Sequence, residues 1–285
     1  MTADLGGGPD IRDWIGSTET VTELVGPTPV AALDATLDRG EPVPRPGDPL
    51  PPLYHWLYFL PLAQTADLDV DGHPKRGGFL PPVALPRRMW AASDVSFAGL
   101  LRIGEEATRT SVIEDVAEKA GKSGRLVFVT VRHEIANRDG LAISDRQTVV
   151  YREAAAGEPP PAGRPAPEES DFSRVITPSP ALLFRYSALI FNAHRIHYDH
   201  PYTTGVEGYP GLVVHGPLLA TLLTDLVRRA HPERPIARFR FRAVKPVFDT
   251  APFTVCGRRD GENALALWVR DEDGELSVDA AAELG

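Results

Sequence analysis

The sequence predicts an α+β protein with two similar halves, each an antiparallel sheet wrapped around a central helix. Segments of period-2 hydrophobic alternation, which is typical of strands, occur on both sides of residues 154–170. Those residues are rich in Pro, Ala, Gly and Glu, a composition that forms an extended linker and cannot build a core. A chain of 285 residues accommodates two small domains. We therefore predict an N-terminal domain at 1–153 and a C-terminal domain at 171–285.

The N-terminal domain is predicted to begin with a helix at 30–37, because Pro27 and Pro29 precede it and proline favours the first turn of a helix. An aromatic run follows at 54–59. It is typical either of a core or of a cavity wall, since both use the same side chains. Four strands are then predicted, at 95–102, 108–117, 126–136 and 142–152.

The C-terminal domain is predicted to contain helices at 180–190 and 216–230, of which the second is strongly apolar. The Asp-Gly pair at 273–274 predicts a hairpin turn before the last strand. The N-terminal half has a corresponding Asp-Gly pair at 139–140. Residues 134–143 and 269–278, which contain the two pairs, form a weak internal repeat between the halves. The four strands of this half are predicted at 237–244, 252–258, 264–270 and 276–282.

Composition and charge exclude several classes of protein. A formal net charge of −9 argues against a nucleic-acid partner, because binding the phosphate backbone calls for a basic surface. We expect no membrane partner and a cytoplasmic location, since no apolar run is long enough to cross a bilayer and residues 1–10 are glycine-rich and acidic rather than a secretory signal. The single Cys256 excludes an internal disulfide and lies in a predicted strand, where core packing is its expected role.

Four of the eight histidines fall in the short window from residue 191 to residue 219. The window also contains a glycine, Gly216, that opens the apolar helix, and the N–H groups at a helix start can receive an oxyanion. Proton-transfer groups beside an oxyanion site predict an enzyme that acts on a carbonyl or thioester. Two alternatives are a purely structural cluster and a metal site of His194, His197 and Asp199. We expect no metal, because catalytic metal ligands usually come from separated elements.

This window resembles the signature of MaoC-type, R-specific hydratases and dehydratases, which is Asp-x-Asn-Pro-hydrophobic-His-x-Asp followed by an apolar-apolar-His-Gly motif at the start of a long helix. The variant Phe-Asn-x-His-Arg-Ile-His-Tyr-Asp is similar to the fused double-hotdog subgroup. That subgroup contains mesaconyl-C4-CoA (3-methylfumaryl-CoA) hydratases, itaconyl-CoA hydratases and type 2 hydroxyacyl-thioester dehydratases. Asn192 stands at the aspartate position of the motif, His194 at the asparagine and Arg195 at the proline. His197 stands at the catalytic histidine, Asp199 at the second acid, and His215-Gly216 at the helix start.

The resemblance implies a double hotdog. Because the N-terminal half has no His-x-x-His or His-Gly equivalent, we infer one active site, in the C-terminal domain, and an N-terminal domain that shapes the acyl or pantetheine tunnel. The resemblance also implies a hydro-lyase that adds or removes water across the double bond of a short branched or dicarboxylic enoyl-CoA, such as mesaconyl-C4-CoA or itaconyl-CoA. Two alternatives are dehydration of a longer 3-hydroxyacyl thioester in fatty-acid or polyketide synthesis and acyl-CoA binding without catalysis. The acyl-CoA is the expected partner, coenzyme A enters only as part of the substrate, and a homodimer is left open.

The chemistry of a thioester assigns roles to the motif residues. Hydration develops negative charge on the thioester oxygen, which the Gly216 N–H is expected to receive. His197, with an ordinary pKa near neutrality, is the expected base for water. Asn192 can only orient the water, because an amide does not titrate. His197 therefore works alone or with a second group, for which the candidates are His194, Asp199 and His215.

Arginines in the sequence have two interpretations each. Arg195 either binds the free carboxylate of a dicarboxylic substrate or pairs with Asp199. Arg87 and Arg88 form a basic pair without an assigned role. A further group of cations lies on one face of a predicted strand, where arginines alternate with phenylalanines, and just after that strand. These cations contact either the phosphates of coenzyme A or solvent. They are Arg238, Arg240 and Arg242, with Lys245 just beyond.

Overall fold

The computed structural model describes residues 10–121, 124–153 and 163–285. Its N-terminal half contains β1 (Thr18–Leu24), α1 (Pro27–Thr36), β2 (Arg87–Phe97), β3 (Glu106–Gly121), β4 (Gly124–Asn137) and β5 (Gly140–Arg152). Its C-terminal half contains β6 (Phe172–Ile176), α2 (Pro180–Leu189), α3 (His200–Gly205), α4 (Gly216–Ala230), β7 (Ile236–Ala243), β8 (Phe253–Arg259), β9 (Ala264–Arg270) and β10 (Leu276–Leu284).

All of these strands form one 10-stranded antiparallel sheet in the order β1-β3-β4-β5-β2-β7-β10-β9-β8-β6. Each half uses the same strand order, and the halves join where β2 pairs with β7, from Ala92 opposite Arg242 to Ser96 opposite Arg238. This duplicated order confirms the double hotdog. The predicted internal repeat lies at the equivalent hairpins β4-β5 and β9-β10.

The long helix α4 is the core of the C-terminal half. Pro217 lies in its first turn, and its side chains are buried from Leu218 to Val227. Full burial of one leucine contributes about 1.5–3 kcal/mol, so the leucines of this helix supply much of the driving force that closes the sheet around it. The sequence predicted the bounds of α4 correctly because an apolar run directly follows Gly216 and Pro217, which are typical start signals.

The N-terminal half has no counterpart of α4 among its described residues. Between α1 and β2 the chain instead packs the aromatic run at 54–59 into the core. Tyr54 donates a hydrogen bond of 2.7 Å to Asp34, and Trp56 donates one of 2.8 Å to Asp145. Some of these side chains also line the main cavity, so both interpretations of the run apply.

Several predicted elements differ from the structure. Strand β2 begins eight residues before the predicted strand at 95–102, because Arg87 and Arg88 hide the period-2 pattern, and it ends where the chain turns away at Ala98. The short strands β1 and β6 were not predicted. Within the predicted linker, residues 154–162 lie outside the described residues, whereas Ala166 is buried against Cys256, Trp268 and Leu276. No helix in the described ranges is both long and apolar enough to span a membrane.

Candidate active site

A cavity of about 1070 Å³ lies between the two halves. Its walls come from the segment between α1 and β2, from the inner faces of β3 to β5, from the histidine-rich window and from the start of α4. This volume is typical of sites for small molecules and cofactors. The cavity brings together the predicted residues Asn192, His194, His197, His215 and Gly216.

His197 is buried in a short 3₁₀ turn, Arg195–His197, with 8% of its surface exposed. Its Nδ1 lies 2.7 Å from the Val213 carbonyl, which can only accept, so Nδ1 carries the proton and Nε2 has a free lone pair. Burial lowers the pKa of His197 to about 4, which the hydrogen bond to Val213 only partly opposes. His197 is therefore a neutral imidazole at pH 7 whose Nε2 can accept a proton.

His215 caps the start of α4 and stacks on His197, with ring centroids 3.6 Å apart. Its Nε2 lies 2.8 Å from the Ser187 hydroxyl, and burial lowers its pKa well below the ordinary value. These contacts hold the His197 ring in place. His215, a secondary catalytic candidate, thus has the position of a supporting residue.

Gly216 lines the cavity at the first position of α4. The N–H groups in the first turn of a helix have no intrahelical acceptor, and the positive end of the helix dipole lies there. A Cβ at Gly216 would lie 3.6 Å from the Trp90 carbonyl oxygen, an ordinary contact distance, so β2 packs beside the helix start. This is the geometry of an anion site made from backbone groups.

Asn192 follows a residue with a positive φ angle, Phe191, in a tight turn after α2. Its side-chain oxygen accepts a hydrogen bond of 3.0 Å from the backbone N–H of His194. Its backbone N–H donates to the backbone carbonyl of Ser187. The amide side chain is therefore fixed by the turn. His194 lies beside it, and burial and the neighbouring His73 lower the pKa of His194.

Two residues that the sequence did not predict, Asp71 and His73, also line the cavity. His73 Nδ1 lies 3.0 Å from an Asp71 carboxylate oxygen, and the His73 ring packs 3.9 Å from the His194 ring, centroid to centroid. Burial lowers the pKa of His73, which the hydrogen bond to Asp71 opposes. These residues belong to an aperiodic loop distant in sequence from the motif, so no local pattern could have indicated them.

Asp71, His73 and His194 form the one group of potential metal ligands in the described part of the chain, with ligand atoms within 4.8 Å of one another. In this group the Asp71 oxygen and His73 Nδ1 are joined by their own hydrogen bond, as in a carboxylate–histidine dyad. The alternative metal set of His194, His197 and Asp199 does not form, because the Asp199 carboxylate binds Arg195.

Arg195 does not line the cavity, and of its two predicted interpretations the structure has the ion pair with Asp199. Its Nε and Nη2 donate to one Asp199 oxygen at 2.9 and 2.8 Å, and its guanidinium lies over the Tyr202 ring. The Asp199 carboxylate also accepts from the Tyr202 N–H at the start of α3. Arg195 and Asp199 are thus fully occupied away from the cavity, which argues against a carboxylate-binding role for Arg195 and a proton-transfer role for Asp199.

The strand arginines lie on the outer face of β7, as in their solvent-facing interpretation. Arg238 pairs with Asp94, and Arg242 is exposed 3.4 Å from Asp279. Arg240 is exposed, and neither it nor Arg242 lines the cavity. Lys245 differs, because it does line the cavity while bonding to two carboxylates, Asp271 and Glu275.

Arg88, on β2, is the cation that the sequence did not assign. It is half-buried on the cavity wall, and its positive charge contributes to lowering the pKa of both His73 and His194. Within the described residues no carboxylate lies at ion-pair distance from Arg88, whereas the adjacent Arg87 pairs with Glu207 at 3.2 Å. Among the residues that the structure describes, this positive charge on the cavity wall therefore has no carboxylate partner.

Comparison with protein families and known proteins gives consistent results. The family model of hydroxyacyl-thioester dehydratase type 2 matches residues 53–249. The mesaconyl-C(4)-CoA hydratase of Chloroflexus aurantiacus is 48% identical over 277 residues, which cover 97% of this chain and 98% of the relative. The mitochondrial hydroxyacyl-thioester dehydratase type 2 of Schizosaccharomyces pombe is 30% identical and covers 87% of this chain and 91% of its own length.

Solved structures share the fold. HtdX from Mycobacterium tuberculosis superposes with a TM-score of 0.68 at 19% identity, over 93% of this chain and 98% of that chain. The MaoC-like dehydratase from Phytophthora capsici superposes with a TM-score of 0.67 at 14% identity, over 97% of this chain and 98% of that chain. At these identities the likeness concerns the fold alone.

Proposed function

Because this chain belongs to the hydroxyacyl-thioester dehydratase type 2 family and is a hydratase or dehydratase of acyl thioesters, we propose that its substrate is a short dicarboxylic enoyl-CoA of the mesaconyl-C4-CoA type. The observation that carries the proposal is Arg88, a cavity arginine without a carboxylate partner beside the histidine cluster. The name of the 48% identical relative supports the same substrate class.

The substrate dictates what the site must supply. In mesaconyl-C4-CoA the β-carbon carries a methyl group and a free carboxylate, and the thioester lies on the other side of the double bond. Hydration places a hydroxyl on the β-carbon and a proton on the α-carbon, while electrons move onto the thioester oxygen. The enzyme therefore needs an oxyanion donor, a base for water, an acid for the α-carbon and a cation for the free carboxylate.

Gly216 and His197 fill the first two roles. The N–H at the start of α4 donates to the thioester oxygen as it gains charge, and the helix dipole acts in the same direction. His197 accepts a proton from water at Nε2, because its Nδ1–H is held by Val213 and its ring is held by His215. Asn192 orients the water or the acyl group without exchanging a proton.

Arg88 fills the role of carboxylate binder that was first considered for Arg195. A guanidinium binds a carboxylate through two parallel hydrogen bonds, and the substrate would neutralise a charge that is otherwise uncompensated on the cavity wall. A 3-hydroxyacyl thioester with an alkyl chain brings no such anion. The unpaired Arg88 thus favours the dicarboxylic substrate over the dehydratase alternative of fatty-acid or polyketide synthesis.

A direct assay tests the proposal. Purified protein is mixed with mesaconyl-C4-CoA or with crotonyl-CoA, which lacks the second carboxylate, and loss of the enoyl-thioester absorbance is followed. We expect efficient hydration of mesaconyl-C4-CoA, and Arg88→Met should raise its KM by about 10- to 100-fold, the worth of a charged hydrogen-bonded contact. KM for crotonyl-CoA should change little. Equal kinetics on both esters in the wild-type protein would contradict the substrate class.

A cytoplasmic location, a homodimer and the absence of a further cofactor or metal stay predictions from the sequence.

A further inference from the structure

The proposed hydration leaves one role without a residue. Addition of water requires a proton for the α-carbon as well as a base for water, and the family position for a titrating carboxylate holds Asn192. We propose that His73, positioned by Asp71, is this second proton-transfer group and that the N-terminal half thereby contributes a catalytic residue. The proposal rests on the hydration reaction proposed above.

The Asp71–His73 pair has the geometry of a working dyad. One Asp71 oxygen lies 3.0 Å from His73 Nδ1, and the other accepts the His73 backbone N–H at 2.9 Å. With Nδ1 bonded to the carboxylate, Nε2 is the ring nitrogen available to a substrate. Both residues line the cavity, so His73 can contact the acyl group directly.

The loop that carries the dyad is locked against the motif. The Arg195 N–H donates to the Asp71 carbonyl at 2.8 Å, and the Arg195 side chain donates to the Val70 carbonyl at 3.1 Å. Between the two dyad residues, Gly72 has a φ of 89° and lies so close to Ala193 that any Cβ would overlap the Ala193 carbonyl. Such fixed placement is what a proton-transfer group requires, since misplacement by one ångström is costly for catalysis.

A third imidazole, His194, packs beside both the dyad and the base. The His194 ring lies 3.9 Å from the His73 ring and 5.4 Å from the His197 ring, centroid to centroid. His194 therefore lies between the two proton-transfer groups.

The proton balance of the reaction closes with these groups. His197 Nε2 takes one proton from water as the hydroxyl bonds to the β-carbon, and the double-bond electrons move to the α-carbon and the thioester oxygen. His73, which starts the cycle as an imidazolium paired with the Asp71 carboxylate, gives its Nε2 proton to the α-carbon, and this restores the thioester carbonyl. His197 then releases its proton to water and His73 takes one up from water, so both groups regain their starting states.

Charges from both halves of the molecule act on the His73 ring. The charged and titratable groups that act on its ring are Asp71, His194, His197, Arg76 and Arg88. Arg76 is held by the carbonyls of Val83 and Pro86, whereas Arg88 pairs with the substrate carboxylate in the proposed complex. That pairing neutralises one of the positive charges that oppose protonation of His73, whereas the hydrogen bond to Asp71 favours it.

Two variants and one control test the dyad. His73→Gln should lower kcat for mesaconyl-C4-CoA by about 10² to 10⁴, the usual worth of a general acid. It should equally slow exchange of the α-hydrogen of the hydrated product with deuterated water. His133→Gln removes another half-buried histidine from the same cavity and should stay within about threefold of wild type, a range typical of changes remote from the chemistry.

Asp71→Asn, which is nearly isosteric, distinguishes a role of Asp71 in proton transfer from a purely structural role, because only the former changes the pH profile of kcat. It removes the charge that raises the pKa of His73, so the alkaline limb of the kcat profile should shift to lower pH. Unchanged kcat in His73→Gln, or an unmoved alkaline limb in Asp71→Asn, overturns the proposal. So does loss of wild-type activity on chelation that added Zn²⁺ or Mn²⁺ restores. A wild-type protein that ignores mesaconyl-C4-CoA but hydrates another enoyl-CoA rejects the substrate, and the same variants then test the dyad on that ester.

Discussion

Two clusters of buried polar side chains face the same cavity, one from each half of the molecule. The C-terminal cluster contains His197, His215 and Asn192, and the N-terminal cluster contains His55 and Asp145 beside His133. Both have histidines and a carboxylate or amide. Only the C-terminal cluster lies at the start of a long helix, because the described N-terminal residues have no counterpart of α4.

The N-terminal cluster is only partly hydrogen-bonded, because both ring nitrogens of His55 and one Asp145 oxygen are buried without a partner in the described structure. One Asp145 oxygen accepts hydrogen bonds of 2.8 Å from both Trp56 and Gln147, and it lies 3.5 Å from His55. His133 Nδ1 is hydrogen-bonded to the Ser111 hydroxyl at 2.8 Å. The free N–H groups of a helix start, placed beside a histidine with an open Nε2, distinguish the catalytic half.

The largest expected effect separates the two clusters directly. His197→Ala should reduce kcat by about 10² to 10⁴ with the fold intact, because it removes the base for water. His133→Ala, the matched change in the other cluster, should keep nearly all activity. Steady-state kinetics of both variants, with circular dichroism as a check of folding, decide the matter. Comparable losses in the two variants would mean that the N-terminal cluster also takes part in the chemistry.

The second prediction concerns the loop by which the N-terminal half reaches the site. Gly72→Ala places a Cβ against the Ala193 carbonyl at a positive φ, so the loop must move and the His73 ring with it. We expect a loss in kcat of about 10²-fold, as for a misplaced catalytic group. Gly274→Ala is the matched control, because Gly274 also has a positive φ but open space around it. Gly274→Ala should lower thermal stability but not kcat. If Gly72→Ala does the same, the loop has no part in catalysis.

The two halves also differ in how far the sequence predicted them. The spacing of the motif placed Asn192, His197 and Gly216 in one site, because all three lie within a short stretch and next to one helix start. Asp71 and His73 escaped prediction because they reach the site only through long-range packing of an aperiodic loop. The sequence also could not distinguish Arg88 from Arg87. No local pattern shows that Arg87 forms an ion pair with a carboxylate and that Arg88 does not.

The third prediction tests whether Arg195 joins the halves or binds substrate. Arg195→Met removes its bonds to Asp199 and to the Val70 carbonyl, which loosens the 69–73 loop. We expect kcat/KM to fall by roughly tenfold on mesaconyl-C4-CoA and on crotonyl-CoA alike, the worth of one charged hydrogen bond. A loss confined to mesaconyl-C4-CoA would return the carboxylate-binding role to Arg195, whereas Arg88→Met is expected to show that selectivity.

The fourth prediction sharpens the role of the amide at the family's carboxylate position. Asn192→Ala should lower kcat by less than His197→Ala does, because Asn192 orients groups and transfers no proton. Asn192→Asp should retain activity with an altered pH profile, since a titrating group is restored beside His194. A fully active Asn192→Ala would show that this position has no role. An inactive Asn192→Asp with an intact fold would show that a second carboxylate near His73 cannot be accommodated.

The smallest expected effect is one that both clusters share. Burial lowers the pKa of His197 and of His133 to about 4, below the ordinary histidine value that applies in the unfolded chain. Between those two pKa values the unfolded state binds protons that the folded state refuses, so the free energy of unfolding must fall as the pH drops from about 6.5 towards 4. Each such histidine contributes a slope of about 1.4 kcal/mol per pH unit.

Urea unfolding at pH 7, 6 and 5 should show His133→Gln and His197→Gln reducing that slope equally, although only His197→Gln abolishes turnover. A slope unchanged in His133→Gln would mean that His133 is already protonated in the folded protein, with the neighbouring Asp145 carboxylate opposing the cost of its burial.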